Sequence, residues 1–209
     1  DKILILDFGS QSTQLIGRRV RQLGVYSEIV PGDLPLDRAD LAGVRALILS
    51  GSPASVYEPG APTVDARFYG LGLPVLGICY GLHRLASDHG GRVASLGHKE
   101  YGRARVDVLE TDPLFARLPP GSFVSWMSHG DTAADVPPGF RAIARSEGGL
   151  PAAFTDPVRR MWGVQFHPEA SHCEHGMDVL EAFVADIAGA RREWNMDAFL
   201  QAERVELAR

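Results

Sequence analysis

The sequence predicts an α/β protein with an open, mostly parallel sheet, helices on both faces and a small antiparallel extension. Two observations indicate this class: segments that are apolar along their whole length, and helical patterns between them. Strands of a parallel sheet covered by helices are buried on both faces, so they lack the polar alternation of half-exposed strands. The expected parallel strands span residues 3–7, 26–30, 46–49, 75–78 and 161–166.

Helices are expected where apolar residues recur at intervals of three and four. This spacing occurs over residues 11–23, 80–89 and 177–187. A last, polar amphipathic helix is expected over residues 194–209, beyond the main α/β pattern. We therefore assign residues 1–190 to one domain and residues 191–209 to a C-terminal helix or linker.

The middle of the chain has a different pattern. Residues 103–109 and 123–126 alternate between apolar and polar side chains, and Pro119-Pro120-Gly121 lies between them as a reversal signal. Alternation of this kind is typical of antiparallel strands with one exposed face. These two segments are the predicted antiparallel extension.

Composition excludes several classes of function. The chain has 209 residues, of which 45% are hydrophobic, and a formal net charge of −5. A negative charge disfavours a phosphate-backbone partner, and no apolar run reaches the length of a membrane span, so we expect neither a nucleic-acid nor a membrane partner. Two cysteines are too few for a disulfide framework and no signal-peptide pattern opens the chain, so we expect a cytoplasmic location.

The most informative segment is Gly77-Ile78-Cys79-Tyr80-Gly81, which joins an expected strand to an expected helix. Glycines on both sides of the cysteine permit a turn too sharp for residues with a Cβ. Such a turn lifts the Cys79 side chain above the sheet and points the first N–H groups of the helix at it. Because a helix N-terminus stabilises the nucleophilic thiolate, we interpret Cys79 as a nucleophile rather than a small buried hydrophobic residue.

Two other expected strands also end in polar residues, at 50–53 and at 165–169. The carboxyl ends of parallel strands share one edge of the sheet, so both segments should lie near Cys79. There His167 would take the thiol proton and return it to a leaving amine. Glu169 would accept a hydrogen bond from the other imidazole nitrogen and fix the ring.

An attacked carbonyl would become an oxyanion at this edge. The backbone N–H of Tyr80, at the start of the helix, and a second N–H from the turn of Gly51 and Ser52 are the predicted donors. Loss of one such donor commonly raises a reaction barrier by about 3 kcal/mol.

A metal site is the rival use of histidine and cysteine. His172, Cys173 and His175 form a cluster, but zinc takes about four ligands and no second Cys/His pair lies nearby. We therefore expect a solvated loop there and no metal. The turn after the first strand lacks both common phosphate-loop patterns, so we interpret it as a structural turn bordering the site.

Five short motifs occur in order along the chain. They are Asp7-Phe8-Gly9-Ser10-Gln11, Leu49-Ser50-Gly51-Ser52-Pro53, Gly77-Ile78-Cys79-Tyr80-Gly81, Trp126-Met127-Ser128-His129-Gly130-Asp131 and Gly163-Val164-Gln165-Phe166-His167-Pro168-Glu169. Together they resemble the class I (triad) glutamine amidotransferase family, which has an open, flavodoxin-like α/β fold. The resemblance implies that Cys79 attacks the side-chain amide of glutamine, forms a γ-glutamyl thioester and releases ammonia, and that water then releases glutamate.

The first and fourth motifs resemble those family members that supply ammonia for the ATP-dependent amination of XMP to GMP. This implies glutamine as the substrate, and a partner that is an ATP pyrophosphatase (synthetase) domain or subunit. ATP and Mg would be used by that partner, and no cofactor is expected in this domain. The segment from Trp194 onward resembles the linker that leads into the partner domain.

The resemblance also implies a set of substrate-binding residues: Gly51, His83, Ser128, His129, Gly130 and Asp131. Two positions depart from the usual family pattern. Ser52 replaces a glycine, and a residue with a Cβ keeps the backbone donor only if its φ is allowed. His83 replaces a glutamine, which changes the reach of the side chain and is expected to add pH sensitivity. We expect weaker glutamine binding with the chemistry retained.

Three alternatives stay open. One is a degenerate amidotransferase that acts as a partner-binding or regulatory module, motivated by Ser52 and His83. Another is a different class I amidotransferase, of the anthranilate or carbamoyl-phosphate type. The third is a free-standing cysteine hydrolase of γ-glutamyl compounds. Cys173, which replaces a usual threonine, is expected to be non-catalytic in every case.

Overall fold

A single nine-stranded sheet organises the chain in a computed structural model that describes residues 1–196, without the side chains of residues 96–100. The strands are β1 Lys2–Asp7, β2 Tyr26–Pro31, β3 Val44–Leu49, β4 Val75–Ile78, β5 Val93–Val108, β6 Ser122–Ala133, β7 Arg141–Ser146, β8 Pro151–Asp156 and β9 Met161–Val164. The helices are α1 Thr13–Gln22, α2 Tyr80–Asp88 and α3 Gly176–Glu181, which continues as a π-helical segment over Ala182–Ile187. Short 3₁₀ turns span Leu36–Arg38, Ala66–Leu71 and Pro113–Phe115.

The sheet order is β2-β1-β3-β4-β9-β8-β7-β5-β6. The first five strands in this order are parallel, and every later neighbour pairs antiparallel. The predicted α/β class is therefore confirmed. The antiparallel part is larger than predicted, because β5 and β6 extend well beyond 103–109 and 123–126 and because β7 and β8 were not predicted.

Helices cover both faces of the parallel strands, as predicted. On one face Ile3 and Ile5 of β1 belong to a buried cluster with Ile16 of α1 and with α3. On the other face Leu4 and Leu6 pack in a cluster that contains the apolar side of α2. The β1 strand is therefore buried on both faces, which explains why its sequence shows no polar alternation.

The structure describes little of the predicted C-terminal helix. Most of residues 194–209 lie outside the described residues. The preceding segment folds back on the domain, where the Trp194 N–H donates to the Gly24 carbonyl at 2.9 Å and the Arg191 N–H donates to the Asp1 carboxylate at 2.9 Å. Within residues 1–196, the helices are too short and too polar to cross a bilayer.

One buried carboxylate joins the two halves of the sheet. Asp112 is almost fully buried, and its Oδ1 accepts from the Trp162 indole of β9 and from the Leu114 N–H, both at 2.9 Å. Its Oδ2 lies 3.4 Å from the Arg141 guanidinium of β7. Because Trp162 lies in a parallel strand and Arg141 in an antiparallel one, Asp112 holds the junction between them.

Asp112→Ala should lower the free energy of unfolding by about 2–4 kcal/mol, because it leaves buried donors without an acceptor. Glu110→Ala is the matched control, since Glu110 pairs with the same Arg141 at 3.2 Å but is exposed. The control should change the free energy of unfolding by less than about 1 kcal/mol. Urea denaturation measures both, and equal effects would contradict the assignment.

Candidate active site

The sharp turn predicted around Cys79 is present between β4 and α2. Cys79 has φ 53° and ψ −106°, a left-handed backbone that residues with a Cβ rarely adopt. A Cβ on Gly81 would lie 2.2 Å from the Leu49 carbonyl oxygen, and one on Gly77 would lie 2.4 Å from the Gly81 carbonyl oxygen. Both glycines are therefore required by close backbone packing, which in turn holds Cys79 in its strained conformation.

The strand ends predicted to meet are neighbours in the sheet, because β3, β4 and β9 are adjacent. The Cys79 N–H donates to the Val164 carbonyl at 2.8 Å, which ties the end of β4 to the end of β9. The Ser50 N–H donates to the Leu6 carbonyl at 3.0 Å, and the Ser50 hydroxyl accepts from the Phe8 N–H at 2.9 Å. The ends of β1, β3, β4 and β9 thus form one rigid edge.

His167 and Glu169 lie beside the sulfur. Nδ1 of His167 donates to Oε1 of Glu169 at 2.7 Å, and the Glu169 side chain is completely buried. The imidazole also interacts with the Cys79 side chain, which raises the pKa of His167. The segment that carries both residues is held against β6, where the His167 N–H donates to the Trp126 carbonyl at 3.1 Å. Cysteine, imidazole and carboxylate therefore lie in contact, in that order.

The electrostatics of His167 suit a proton carrier. Burial by itself lowers the pKa of His167, but hydrogen bonds and charge interactions with Cys79 and Glu169 outweigh it and raise that pKa to about 10. At neutral pH the folded protein therefore favours the imidazolium, the form that pairs with a thiolate.

All the predicted site residues except Glu169 line one cleft of about 780 Å³. The lining residues among them are Gly51, Ser52, Cys79, Tyr80, His83, Ser128, His129, Gly130, Asp131 and His167. Glu169 lies behind His167, as expected for a residue that orients the ring. The turn after β1 also borders the cleft through Gly9 and Ser10, in agreement with its interpretation as a bordering turn.

The residues predicted to supply the oxyanion donors line the same cleft as Cys79. Tyr80 is the first residue of α2, so its N–H has no acceptor within the helix. Ser52 does not have a left-handed φ, so a residue with a Cβ fits there without backbone strain. The serine therefore does not prevent the Gly51–Ser52 turn from presenting a backbone N–H. Gly51 lies beside His167, since a Cβ there would be at an ordinary contact distance, 3.6 Å, from Cε1 of His167.

The Ser128–Asp131 segment of β6 forms one wall of the cleft. The Ser128 carbonyl lies 3.8 Å from the Cys79 sulfur. His129 is buried, and its Nδ1 contacts the Asp131 carbonyl at 2.7 Å. Asp131 accepts a hydrogen bond at 2.7 Å from the hydroxyl of Tyr57, which belongs to the facing loop and was not predicted. This bond spans the mouth of the cleft.

His83 differs from its expected behaviour. It is 4% exposed, and burial lowers its pKa to about 4. The expected pH sensitivity at this position is therefore wrong, because a buried imidazole with this pKa stays neutral across the physiological range. Its Nε2 contacts Oε1 of Gln165 at 2.8 Å, and Gln165 was not among the predicted site residues.

The cluster of His172, Cys173 and His175 has other contacts. His172 packs against the Trp126 ring, with centroids 5.2 Å apart, and His175 pairs with Asp178 at 2.8 Å. Cys173 is buried, and burial raises its pKa to about 12, which disfavours the reactive thiolate. Among residues whose side chains are described, no group of acidic, histidine and cysteine side chains is arranged to hold a metal ion.

The chain belongs to the glutamine amidotransferase class-I family, whose model matches residues 4–187. This confirms the predicted family. Similar curated proteins are named GMP synthase [glutamine-hydrolyzing]. One, from Parafrankia sp., is 52% identical to this chain, and the match covers 94% of this chain and 36% of the relative. Another, from Brachyspira hyodysenteriae, is 43% identical, and the match covers 97% of this chain and 39% of the relative. The chain thus spans less than two-fifths of the length of these two relatives.

A solved structure supports the same relationship. A Thermoplasma acidophilum protein assigned to GMP synthase has a TM-score of 0.74 and 32% identity to this chain, and the match covers 90% of this chain and 94% of the other. A glutamine amidotransferase from Thermotoga maritima shares the fold at 20% identity and a TM-score of 0.66. The chain is a glutamine amidotransferase domain.

Gly81→Ala should destabilise the protein by at least about 2 kcal/mol, because a methyl group cannot fit against the Leu49 carbonyl without moving α2. Gly70→Ala is the matched control, since Gly70 has open space around it and no left-handed φ. Urea denaturation should show a loss only for the first variant. Full stability of Gly81→Ala would contradict the packing described for the turn.

His167 should remain protonated through pH 8 in the folded protein. Its folded pKa of about 10 lies above the ordinary 6.5, so its contribution to stability is complete below pH 6.5 and is lost as the pH rises toward 10. NMR titration of ¹⁵N-labelled histidine measures this directly. Cys79→Ala should lower the midpoint, whereas Cys173→Ala should leave it nearly unchanged. A wild-type titration midpoint near pH 6.5 would contradict the interactions of His167 with Cys79 and Glu169 that raise its pKa.

Proposed function

We propose that this chain hydrolyses glutamine to glutamate and ammonia with Cys79, His167 and Glu169, and that the ammonia serves the amination of XMP to GMP. The observation that carries the proposal is the contact of sulfur, imidazole and buried carboxylate in a cleft at the strand ends. Membership of the glutamine amidotransferase family supports the same chemistry.

In the first half-reaction the Cys79 sulfur attacks the side-chain amide carbon of glutamine. A C–S bond forms, and the carbonyl oxygen becomes an oxyanion that the Tyr80 N–H and the Gly51–Ser52 turn stabilise. His167, which holds the thiol proton, delivers it to the amide nitrogen as the C–N bond breaks. Ammonia leaves, and a γ-glutamyl thioester remains on Cys79.

The second half-reaction reverses these roles. His167, now neutral, takes a proton from a water molecule as that water attacks the thioester carbonyl. The same donors stabilise the second oxyanion, the C–S bond breaks and the sulfur leaves as the thiolate, while His167 keeps the proton taken from water. Glutamate leaves and the starting state returns. Throughout, Glu169 keeps the imidazole oriented and favours its charged form.

The amino-acid end of glutamine would bind at the opposite wall of the cleft. Asp131 supplies a carboxylate for the substrate ammonium group, and Ser128 and Gly130 supply polar backbone and hydroxyl groups. His129 helps to hold this segment of β6 through its contact with the Asp131 carbonyl. In this arrangement Gly51 and His83 complete the walls near the reacting amide.

The fate of the ammonia rests on the relatives. Two of them are named as glutamine-hydrolysing GMP synthases and are more than twice as long as the matched region. We infer a synthetase partner, as a further domain or a separate subunit, that would use ATP and Mg to activate XMP. The amidotransferase chemistry itself uses no cofactor, and it would take place in the cytoplasm.

Glutamate release from glutamine tests the proposal most simply. The protein is mixed with a synthetase partner, ATP and XMP, and Cys79→Ala is compared with the wild type. Loss of the nucleophile should lower the rate by at least about 10³-fold. Cys173→Ser is the matched control and should retain activity, because its buried thiol lies outside the cleft.

Labelling with a glutamine-analogue electrophile provides a second readout. Peptide mapping should place the adduct on Cys79 and not on Cys173. No glutamate release from the wild type in the presence of partner, ATP and XMP would favour a partner-binding module instead. Full turnover without any partner would favour a free-standing hydrolase.

A further inference from the structure

Two buried polar side chains, His83 and Gln165, lie close to the Cys79 sulfur. His83, in the first turn of α2, and Gln165, immediately after β9, are 4% and 1% exposed. Nε2 of His83 contacts Oε1 of Gln165 at 2.8 Å, and Nε2 of Gln165 lies 3.9 Å from the Cys79 sulfur, within hydrogen-bonding range of a sulfur atom. The three side chains therefore form a line from helix to amide to nucleophile.

The direction of these hydrogen bonds follows from the chemistry of the groups. An amide oxygen can only accept a hydrogen bond, so His83 must donate to it from Nε2. Burial lowers the pKa of His83 to about 4, so the ring carries a single proton, and a proton on Nε2 is the tautomer that matches the Gln165 oxygen facing it. With its oxygen held by His83, the Gln165 amide can present only its N–H group to Cys79.

We propose that His83 is a positioning residue for the nucleophile, which holds the Gln165 amide so that its N–H donates to the Cys79 sulfur. A donor aimed at the sulfur favours the thiolate over the thiol. This inference deepens the proposed function and rests on it for its catalytic meaning. His83 would then act on Cys79 through Gln165, in addition to lining the substrate cleft.

The titratable groups that act on His83 and Cys79 can be named from the structure. His167 interacts with the Cys79 side chain, and the uncharged Gln165 amide lies 3.9 Å from the sulfur. His129 and Asp131 act on His83 by charge from the opposite wall, in opposite directions, and the Asp131 backbone carbonyl faces the same ring. A change in thiol reactivity after substitution of His83 can therefore be compared with the separate contribution of His167.

Alkylation of Cys79 by iodoacetamide, followed across pH by peptide mapping, tests the inference. His83→Phe keeps a buried ring but removes the donor, so the Gln165 amide can turn its oxygen to the sulfur. On the acid limb of the profile, where the thiol form dominates, alkylation should slow by about tenfold, the effect expected for one lost charge-assisted hydrogen bond, and it should approach the wild-type rate at high pH. His83→Gln should restore most of the rate, because its amide can donate to Gln165.

His89→Gln is the matched control on the same helix. His89 contacts the Leu85 carbonyl and does not line the cleft, so its substitution should leave the profile unchanged. If His83→Phe does not fold, Gln165→Met, which removes the donor at the sulfur itself, should give the same slowing. Either folded variant with a profile that matches the wild type would overturn the inference.

The wild-type protein offers an independent test. In ¹H–¹⁵N correlation spectra of histidine-labelled protein, His83 should be neutral and protonated on Nε2 from pH 6 to 8. Protonation on Nδ1 would overturn the inference, because Nε2 would then accept from the amide and the amide oxygen would face Cys79. Failure of the wild type to alkylate at Cys79 would instead contradict the proposed function, so the two failures are distinguishable.

Discussion

The site depends on one close packing contact, between the first turn of α2 and the end of β3. Gly81 approaches the Leu49 carbonyl so closely that a Cβ there would lie 2.2 Å from the oxygen. This approach requires the chain to reverse within one residue, and Cys79 takes the left-handed backbone that the reversal needs. The position of the sulfur, the direction of the Tyr80 N–H and the shape of the cleft all follow from that turn.

The sheet supplies the rigidity that this strained turn requires. Backbone hydrogen bonds join the ends of β1, β3, β4 and β9, so the groups that act on the sulfur come from strands that cannot move independently. The long strand β6 contributes from the antiparallel side, because it carries the Ser128–Asp131 wall and also holds the His167 segment. Reacting groups must be held in precise positions, and strands hold them more precisely than loops do.

Much of this arrangement could be predicted from local sequence. Strand 75–78 matches β4, because a continuous apolar run and the glycines around Cys79 have only one compatible geometry. By contrast, β7 and β8 were missed, since Arg141–Ser146 and Pro151–Asp156 lack a continuous apolar run, and their strand character comes from antiparallel pairing with each other and with β9. Contacts made only by folding, such as Tyr57 with Asp131, leave no local signal.

Neighbouring groups give two buried histidines different charge states in this site. His167, in contact with a carboxylate and the sulfur, has a raised pKa and carries a proton, whereas His83, against a neutral amide, has a lowered pKa and stays neutral. The sequence shows a histidine at both positions but cannot assign their charge, because the neighbours that decide it come from elsewhere in the chain. The proposed roles of His167 in proton transfer and of His83 in positioning therefore follow from their different neighbours.

A crystal structure with an aldehyde analogue of glutamine would test the central claim most directly, because the sulfur adds to the aldehyde carbon and forms a tetrahedral adduct. The account predicts a bond to Cys79, with the adduct oxygen about 3 Å from the Tyr80 N–H and facing the Gly51–Ser52 turn. An adduct on Cys79 whose oxygen points into open solvent, away from the Tyr80 N–H, would contradict it.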